Sequence, residues 1–289
     1  DDESRLFNLM ATPGYPELIG EMISLNNDRG LSAFIIGDSP MRLTPDATSL
    51  QNWATNVSLA VEDNDNGLVS TDEYLGVFYP SGFTSDNFGN NVVVPASHMM
   101  LRTIALSDQV SFPWFAPAGT RRGGITNATS TGYINSEGEF VSTALNEGQR
   151  DTLYTNNVNP ITFITGAGLV NYGQKTRFAG SSALDRINVA RLVIYLRSQL
   201  NKLARPYVFE PNDKITRDEI KAQAESLLLE LVGNRAIFDF LVVCDESNNT
   251  PTRIDRNELY LDIAIEPVKA VEFIYVPLRL KNTGEIAGL

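Results

Sequence analysis

The chain of 289 residues contains one cysteine, one histidine and no long apolar run. A single cysteine, Cys244, excludes intramolecular disulfides and cysteine-rich metal sites, and its apolar surroundings predict a buried strand position. A single histidine, His98, excludes zinc sites built from several histidines. No stretch of about 18 consecutive apolar residues occurs, so we expect no membrane insertion. The sequence predicts no metal and no cofactor.

Positive charge is scarce in the first third of the chain. Residues 1–100 contain 14 acidic residues against three arginines and no lysine, whereas the remainder is nearly neutral, within a total net charge of −12. This imbalance predicts an acidic, solvated face on the first part of the protein. Because nucleic-acid binding needs cations for the phosphates, we expect no nucleic-acid partner.

Composition and length predict two folded units. Apolar residues make up 43% of the chain and charged residues 20%, which is typical of globular proteins. Apolar strand-like segments alternate with helical patterns before residue 106, which predicts a parallel sheet. Residues 117–150 are rich in Gly, Thr, Ser and Asn, which predicts an irregular connection. The predicted fold class is therefore α/β and α+β, with a mixed α/β domain over residues 1–155 and a compact α+β domain over residues 156–289.

The last third has the clearest periodicity. Apolar runs flank Gly166-Ala167-Gly168 and predict a hairpin. Apolar residues recur every three or four positions over residues 183–203, which predicts a helix. A second helix is predicted after Thr216, because Glu219 three residues later completes a capping-box pattern. Three strands are predicted after it, over residues 236–244, 258–265 and 270–280.

The last predicted strand is unusual because it is apolar on both faces. Pro277 cannot donate to a ladder of hydrogen bonds, which places at least that end of the strand at the edge of a sheet. A long apolar edge promotes aggregation unless something covers it. Two interpretations fit equally: another chain supplies the missing neighbour by strand addition, or the strand is buried in its own subunit after an extra bend.

A segment near the N-terminus resembles the nucleophile block of GDSL-type esterases. An apolar strand ends in Gly37-Asp38-Ser39, and such an enzyme needs a histidine to accept the serine proton. His98 is the only histidine, and Pro95 stands where that pattern requires an aspartate three positions earlier. The alternative is an acidic turn after a buried strand, and we favour it.

Several stretches resemble the sheath proteins of contractile bacteriophage tails. The resemblance covers about residues 70–280 and is strongest after residue 155. Its most specific parts are a Phe-Glu-Pro-Asn-Asp turn and a Cys-Asp-Glu-Ser-Asn-Asn-Thr-Pro stretch. The stretches that carry the resemblance are residues 158–161, 166–168, 187–192, 208–213, 244–251 and 265–274, and residues 72–80, 94–97 and 114–119 also fit the family.

The resemblance implies a structural subunit without enzymatic activity. Sheath subunits polymerise helically around a tail tube, and on a baseplate signal they contract and drive the tube through the host envelope. The implied partners are other sheath subunits, the tail tube protein and the baseplate. The implied location is the virion, after assembly in the host cytoplasm.

The resemblance also implies roles for particular residues. Arms of neighbouring subunits exchange strands in this family, which assigns the terminal apolar strand to a shared sheet. The implied exchange residues are Val271, Phe273, Ile274, Tyr275, Val276, Leu278 and Leu280. We expect Lys214, Arg217 and Lys221 to face the tube, with an ordinary solvated helix face as the alternative.

Two other functions stay open on the sequence alone. One is the GDSL-like esterase with Ser39 as nucleophile, and the other is a non-contractile virion structural or adhesin domain. The sequence offers no plausible N-terminal arm, so we expect this chain by itself to be monomeric or weakly associated.

Overall fold

The computed structural model describes residues 6–180 and 182–275. Eight α-helices are assigned in these residues: α1 (Ile19–Asp28), α2 (Ala47–Ala54), α3 (Ala96–Val110), α4 (Gly119–Arg122), α5 (Glu147–Thr155), α6 (Ile187–Ala204), α7 (Lys214–Gly233) and α8 (Pro251–Asp255). The same residues form eleven strands: β1 (Leu9–Ala11), β2 (Phe34–Asp38), β3 (Leu75–Tyr79), β4 (Ser81–Ser85), β5 (Asn91–Val94), β6 (Ser130–Ile134), β7 (Phe140–Ser142), β8 (Val158–Ile164), β9 (Gly168–Asn171), β10 (Ile237–Val243) and β11 (Asp262–Pro267). The mixture of helices, parallel strands and antiparallel strands confirms the predicted fold class.

A five-stranded sheet forms the centre of the first part. Its order is β1-β2-β3-β8-β9, and the first four strands are parallel. The predicted hairpin is confirmed, because β8 and β9 pair antiparallel. All five residues of β2 are buried, as expected for a parallel strand covered by helices on both faces.

Helices cover both faces of this sheet. Successive residues of β2 point to opposite sides, so Ile35 lies in one core while Phe34 and Ile36 lie in the other. The first core includes buried residues of α1, α2 and α5, and the second includes buried residues of α3 and α6. The alternation of strands and helices predicted a parallel sheet, and the parallel pairing of β1, β2, β3 and β8 confirms it.

The prediction of an irregular connection over residues 117–150 was wrong. Strands β6 and β7 lie there and complete a four-stranded antiparallel sheet with the order β5-β4-β6-β7. A side chain at Gly132 would collide with the carbonyl oxygen of Val141 on the neighbouring strand. The small residue at this position therefore allows β6 and β7 to pair closely. An aromatic contact also links β4 to β7, where Phe83 stacks on Phe140 with ring centroids 4.8 Å apart.

The predicted division after residue 155 cuts through the five-stranded sheet. Strand β8 pairs with β3, where Val158 is opposite Val77, so β8 and β9 belong to the same sheet as the early strands. A division that leaves this sheet whole falls between β9 and α6. Helix α6 nevertheless contributes to two cores, with Ile187 and Ala190 in the second and Leu192 and Leu196 in a third.

The C-terminal unit consists of α6, α7 and the antiparallel pair β10–β11. Its core gathers apolar residues of both helices and both strands around Trp114. The two helices lie where periodicity predicted them, but the predicted cap of α7 was wrong. Asp213 is the N-cap, and its carboxylate accepts a hydrogen bond from the backbone N–H of Thr216 at 3.0 Å.

Candidate functional site

The two-stranded sheet β10–β11 has two open edges. Within residues 6–180 and 182–275, β10 pairs only with β11, and β11 only with β10. Their register places Val242 opposite Ile263 and Leu241 opposite Ala264. Leu241 is exposed, whereas Val242 is buried against the C-terminal core. Unpaired N–H and C=O groups on such edges are ready to receive another strand.

The segment that follows β11 exposes large apolar side chains. Residues 271–275 belong to no strand in the structure. The side chains of Val271, Phe273, Ile274 and Tyr275 are between 68% and 88% exposed. The predicted strand over residues 270–280 is therefore not formed within this chain up to residue 275. Val276, Leu278 and Leu280 lie outside the described residues, and the exchange role of all seven residues stays a prediction.

Glu272, in contrast to its apolar neighbours, points toward the folded body. The carboxylate of Glu272 accepts hydrogen bonds from Nε and Nη2 of Arg186, at 2.5 and 3.2 Å, and from Nε2 of Gln174 at 3.1 Å. Burial lowers the pKa of Arg186, but the hydrogen bonds and charge of Glu272 outweigh burial and raise it. Burial, followed by the charge of Glu272, raises the pKa of Tyr154. Sequence reasoning missed this contact.

The start of α7 lines a shallow cavity of about 340 Å³. Lys214 and Arg217 both line it, but they differ in exposure. The Lys214 ammonium is exposed and pairs with Asp218 at 3.1 Å. Arg217 is largely buried, and its Nη1 donates to the side-chain and backbone oxygens of Asn212. Lys221, which is half-buried, is not among the lining residues. The tube-facing role of these three residues stays a prediction.

The opposite wall of this cavity is the stretch after β10. Cys244 is buried, as predicted, and burial raises the pKa of its thiol against the opposing charges of Arg217 and Lys221. Asn248 donates to the carbonyl oxygens of Val243 and Tyr260. The Cys-Asp-Glu-Ser-Asn-Asn-Thr-Pro stretch (residues 244–251) is thus a loop whose hydrogen bonds connect the end of β10 to the residues just before β11. The resemblance located this motif, but spacing gave no indication of its contacts.

The segment resembling an esterase has a different geometry from a catalytic serine site. Ser39 is buried, and within the described residues its hydroxyl has no hydrogen-bond partner. His98 is exposed. Asp38 instead ties the end of β2 to the start of α3, because its carboxylate accepts hydrogen bonds from the N–H and hydroxyl of Ser97, at 2.6 and 2.7 Å. No hydrogen bond between Ser39 and His98 is present in residues 6–180 and 182–275.

The described residues show neither a metal-binding cluster nor a membrane-spanning helix. They contain no group of three or more His, Cys, Asp or Glu side chains placed to hold a metal ion. None of the helices in the described part of the chain has the length and apolar character needed to cross a bilayer.

Comparison with known proteins gives a consistent family. The family model of the phage tail sheath C-terminal domain matches residues 180–281. The tail sheath protein of Vibrio phage KVP40 is 35% identical over 249 residues, and that of Enterobacteria phage T4 is 32% identical over 249 residues. Each alignment covers 83% of this chain and 35% of the relative, so the chain spans about a third of the length of these relatives.

A solved structure shows the same fold at low sequence identity. The helical sheath of the anti-feeding prophage in its contracted state superposes with a TM-score of 0.73 at 18% identity. The superposition covers 95% of this chain and 70% of that chain. The family model and the curated relatives agree with the resemblance carried by the motifs, and the chain belongs to the phage tail sheath protein family.

Proposed function

We propose that this chain is part of a structural subunit that polymerises around a tail tube and contracts to drive the tube through a host envelope. The named relatives are tail sheath proteins, and the structural neighbours are contractile sheath assemblies. The proposed role is mechanical rather than enzymatic. The proposed partners are further copies of the subunit, the tail tube protein and the baseplate, in a virion assembled in the host cytoplasm.

The observation that carries the proposal is a two-stranded sheet with open edges, followed in the chain by an exposed apolar segment that pairs with no strand in the described residues. Strands β10 and β11 each leave one edge open in the described residues, and residues 271–275 expose four large apolar side chains. A segment of this kind completes a sheet edge by main-chain hydrogen bonds and by burial of alternate side chains. In the proposed assembly the segment of one subunit therefore adds to the β10–β11 sheet of the next.

Strand addition between identical subunits gives an open chain of contacts. A surface on one copy that binds a different surface on the next copy is a heterologous interface, which produces a ring or a helix according to the rotation between copies. Contraction then requires the folded bodies to change their docking while the exchanged strands keep them connected. No nucleotide is needed if the contracted arrangement buries more surface than the extended one.

Electron microscopy of the longer sheath polypeptide that contains this chain tests the proposal. Hollow striated cylinders are expected from the intact polypeptide. Deletion of residues 270–289 is expected to abolish them while the soluble subunit keeps its circular dichroism spectrum. Intact cylinders after this deletion would contradict strand donation by the C-terminal segment. A polypeptide that stays monomeric at high concentration would instead favour a non-contractile virion domain.

A further inference from the structure

We propose that Glu272 is the positioning residue that fixes where the C-terminal segment leaves the folded body and holds its apolar side chains outward. The proposal rests on the proposed function only in naming a second copy of this chain as the acceptor of that segment. The anchor itself is a property of the single chain.

The contrast along residues 271–275 is the first argument. The side chain of Glu272 is 15% exposed, whereas its apolar neighbours are 68% to 88% exposed. Within residues 6–180 and 182–275, every hydrogen bond that residues 271–275 make involves the Glu272 carboxylate. The segment is thus held to the body by the one side chain that points inward.

The chemistry of the contact is the second argument. Arg186 approaches both carboxylate oxygens with two N–H groups, which is the forked geometry that gives an arginine–carboxylate pair its strength and direction. Gln174 donates a third hydrogen bond from another part of the chain. The other charged groups beside this contact are Lys175 and Asp185, of opposite sign, and Lys175 Nζ donates to the backbone oxygen of Tyr154 at 2.7 Å.

The backbone that carries the donors Gln174 and Arg186 is itself held by hydrogen bonds. Lys175 and Arg186 form an isolated antiparallel bridge, and the N–H of Ile187 donates to the oxygen of Gln174 at 2.8 Å. Arg186 is the N-cap residue of α6, the helix shared by two cores. Because the donors lie on hydrogen-bonded backbone, we infer that the carboxylate has a defined position and that residues 273–275 leave the body from that point.

Cleavage of the whole chain by chymotrypsin tests the anchor. We expect Glu272→Gln to speed cleavage after Phe273 and Tyr275 about tenfold, because the loss of the charged fork frees the segment to enter the protease. Arg186→Lys keeps the charge but loses the fork, so we expect an intermediate increase of about threefold. Glu266→Gln is the matched control, since Glu266 is an exposed glutamate on the neighbouring strand β11.

A spectroscopic measurement separates a freed segment from a damaged fold. A nitroxide on Ile274→Cys is expected to be more mobile with Glu272→Gln than without it, while the thermal midpoint stays that of the control. The buried Cys244 thiol is expected to remain unlabelled. Unchanged cleavage and unchanged nitroxide mobility in Glu272→Gln would overturn the proposal. Equally fast cleavage in Glu266→Gln would overturn it too.

The outcome is independent of the proposed function. Faster cleavage in the single chain supports the anchor whether or not the longer polypeptide forms cylinders. Absence of cylinders from the intact polypeptide would contradict the proposed function and leave the anchor standing.

Discussion

Asn249 and Tyr260 are joined by a reciprocal pair of hydrogen bonds. Nδ2 of Asn249 donates to the backbone oxygen of Tyr260 at 2.9 Å, and the backbone N–H of Tyr260 donates to Oδ1 of Asn249 at 2.7 Å. The amide side chain thus replaces a missing strand partner just before β11. Asn249 is almost fully buried, so its side-chain amide has no water as an alternative partner.

Loss of this amide is expected to destabilise the C-terminal unit. Asn249→Ala removes the acceptor of the Tyr260 N–H and one of the two side-chain donors to the Tyr260 carbonyl oxygen, at an expected cost of about 1–3 kcal/mol. Asn249→Asp is expected to cost more, because a carboxylate replaces the donor that faces the oxygens of Tyr260 and Asp245. Urea unfolding measures both. Equal stability of Asn249→Asp and the unmodified chain would contradict the assigned geometry.

The ion pair between Arg191 and Asp108 gives an asymmetric prediction. Nη1 and Nη2 of Arg191 donate to the two carboxylate oxygens at 3.0 and 2.5 Å. The arginine side chain is 3% exposed and the aspartate side chain 23% exposed. Asp108→Asn therefore leaves a buried cation without its counterion, at a cost of about 3 kcal/mol, whereas Arg191→Met leaves a carboxylate that water reaches, at about 1 kcal/mol. Chemical denaturation of both variants checks the order, and the reverse order would contradict this argument.

The exposed segment after β11 is expected to affect assembly without affecting stability. Phe273→Ser with Ile274→Ser changes side chains that contact water, so the free energy of unfolding is expected to change by less than about 0.5 kcal/mol. In the longer polypeptide the same double variant is expected to reduce cylinder formation, because strand addition loses two apolar side chains. Phe238→Ser is the comparison on an exposed position of β10. A large loss of stability in the double variant would show that the segment is buried within its own subunit.

Asp38 gives a prediction for the pH dependence of stability. Burial raises the pKa of this carboxyl above its ordinary value of 3.8, against hydrogen bonds donated by Gly14 and Ser97. At pH values between 3.8 and the raised pKa, the folded state therefore binds more protons than the unfolded state. The free energy of unfolding falls as the pH rises through that range. Asp38→Asn is expected to remove this part of the slope.

Denaturant titrations between pH 4 and pH 7 measure that slope. Burial also raises the pKa of Asp72, so Asp72→Asn is the matched variant. We expect it to change the pH dependence of stability by its own amount, whether or not Asp38 is also substituted. An unchanged slope in Asp38→Asn would show that the carboxyl does not titrate differently in the folded state.

Local patterns predicted much of the fold. The apolar run at β2, the hairpin of β8 and β9 and the helical stripe of α6 each depend on neighbouring residues, and each was predicted near its observed position. Strands β6 and β7 were missed because their glycine-rich composition is typical of loops. The glycine at position 132 is required by the close approach of the partner strand, which local sequence does not show. The Asp213 cap was missed because the Thr216–Glu219 spacing matches a capping box three residues further along the chain.

The site was predicted less completely for the same reason. The apolar character and Pro277 indicated an edge strand after residue 270, and the tail sheath resemblance gave it a partner. The anchor at Glu272 joins residues 86 and 98 positions apart in the chain, so no window of sequence contains it. The burial of Arg217 follows from the turn at Asn212, which a helical charge pattern does not reveal.

Helix α6 has a mechanical consequence. Ile187, Ala190 and Ile194 lie in one core while Leu192 and Leu196 lie in another, so opposite sides of a single helix are embedded in both. A displacement of either core is therefore expected to displace the helix against which the other core packs. If such subunits form the proposed filament, we expect its shape changes to occur mainly at the contacts between copies.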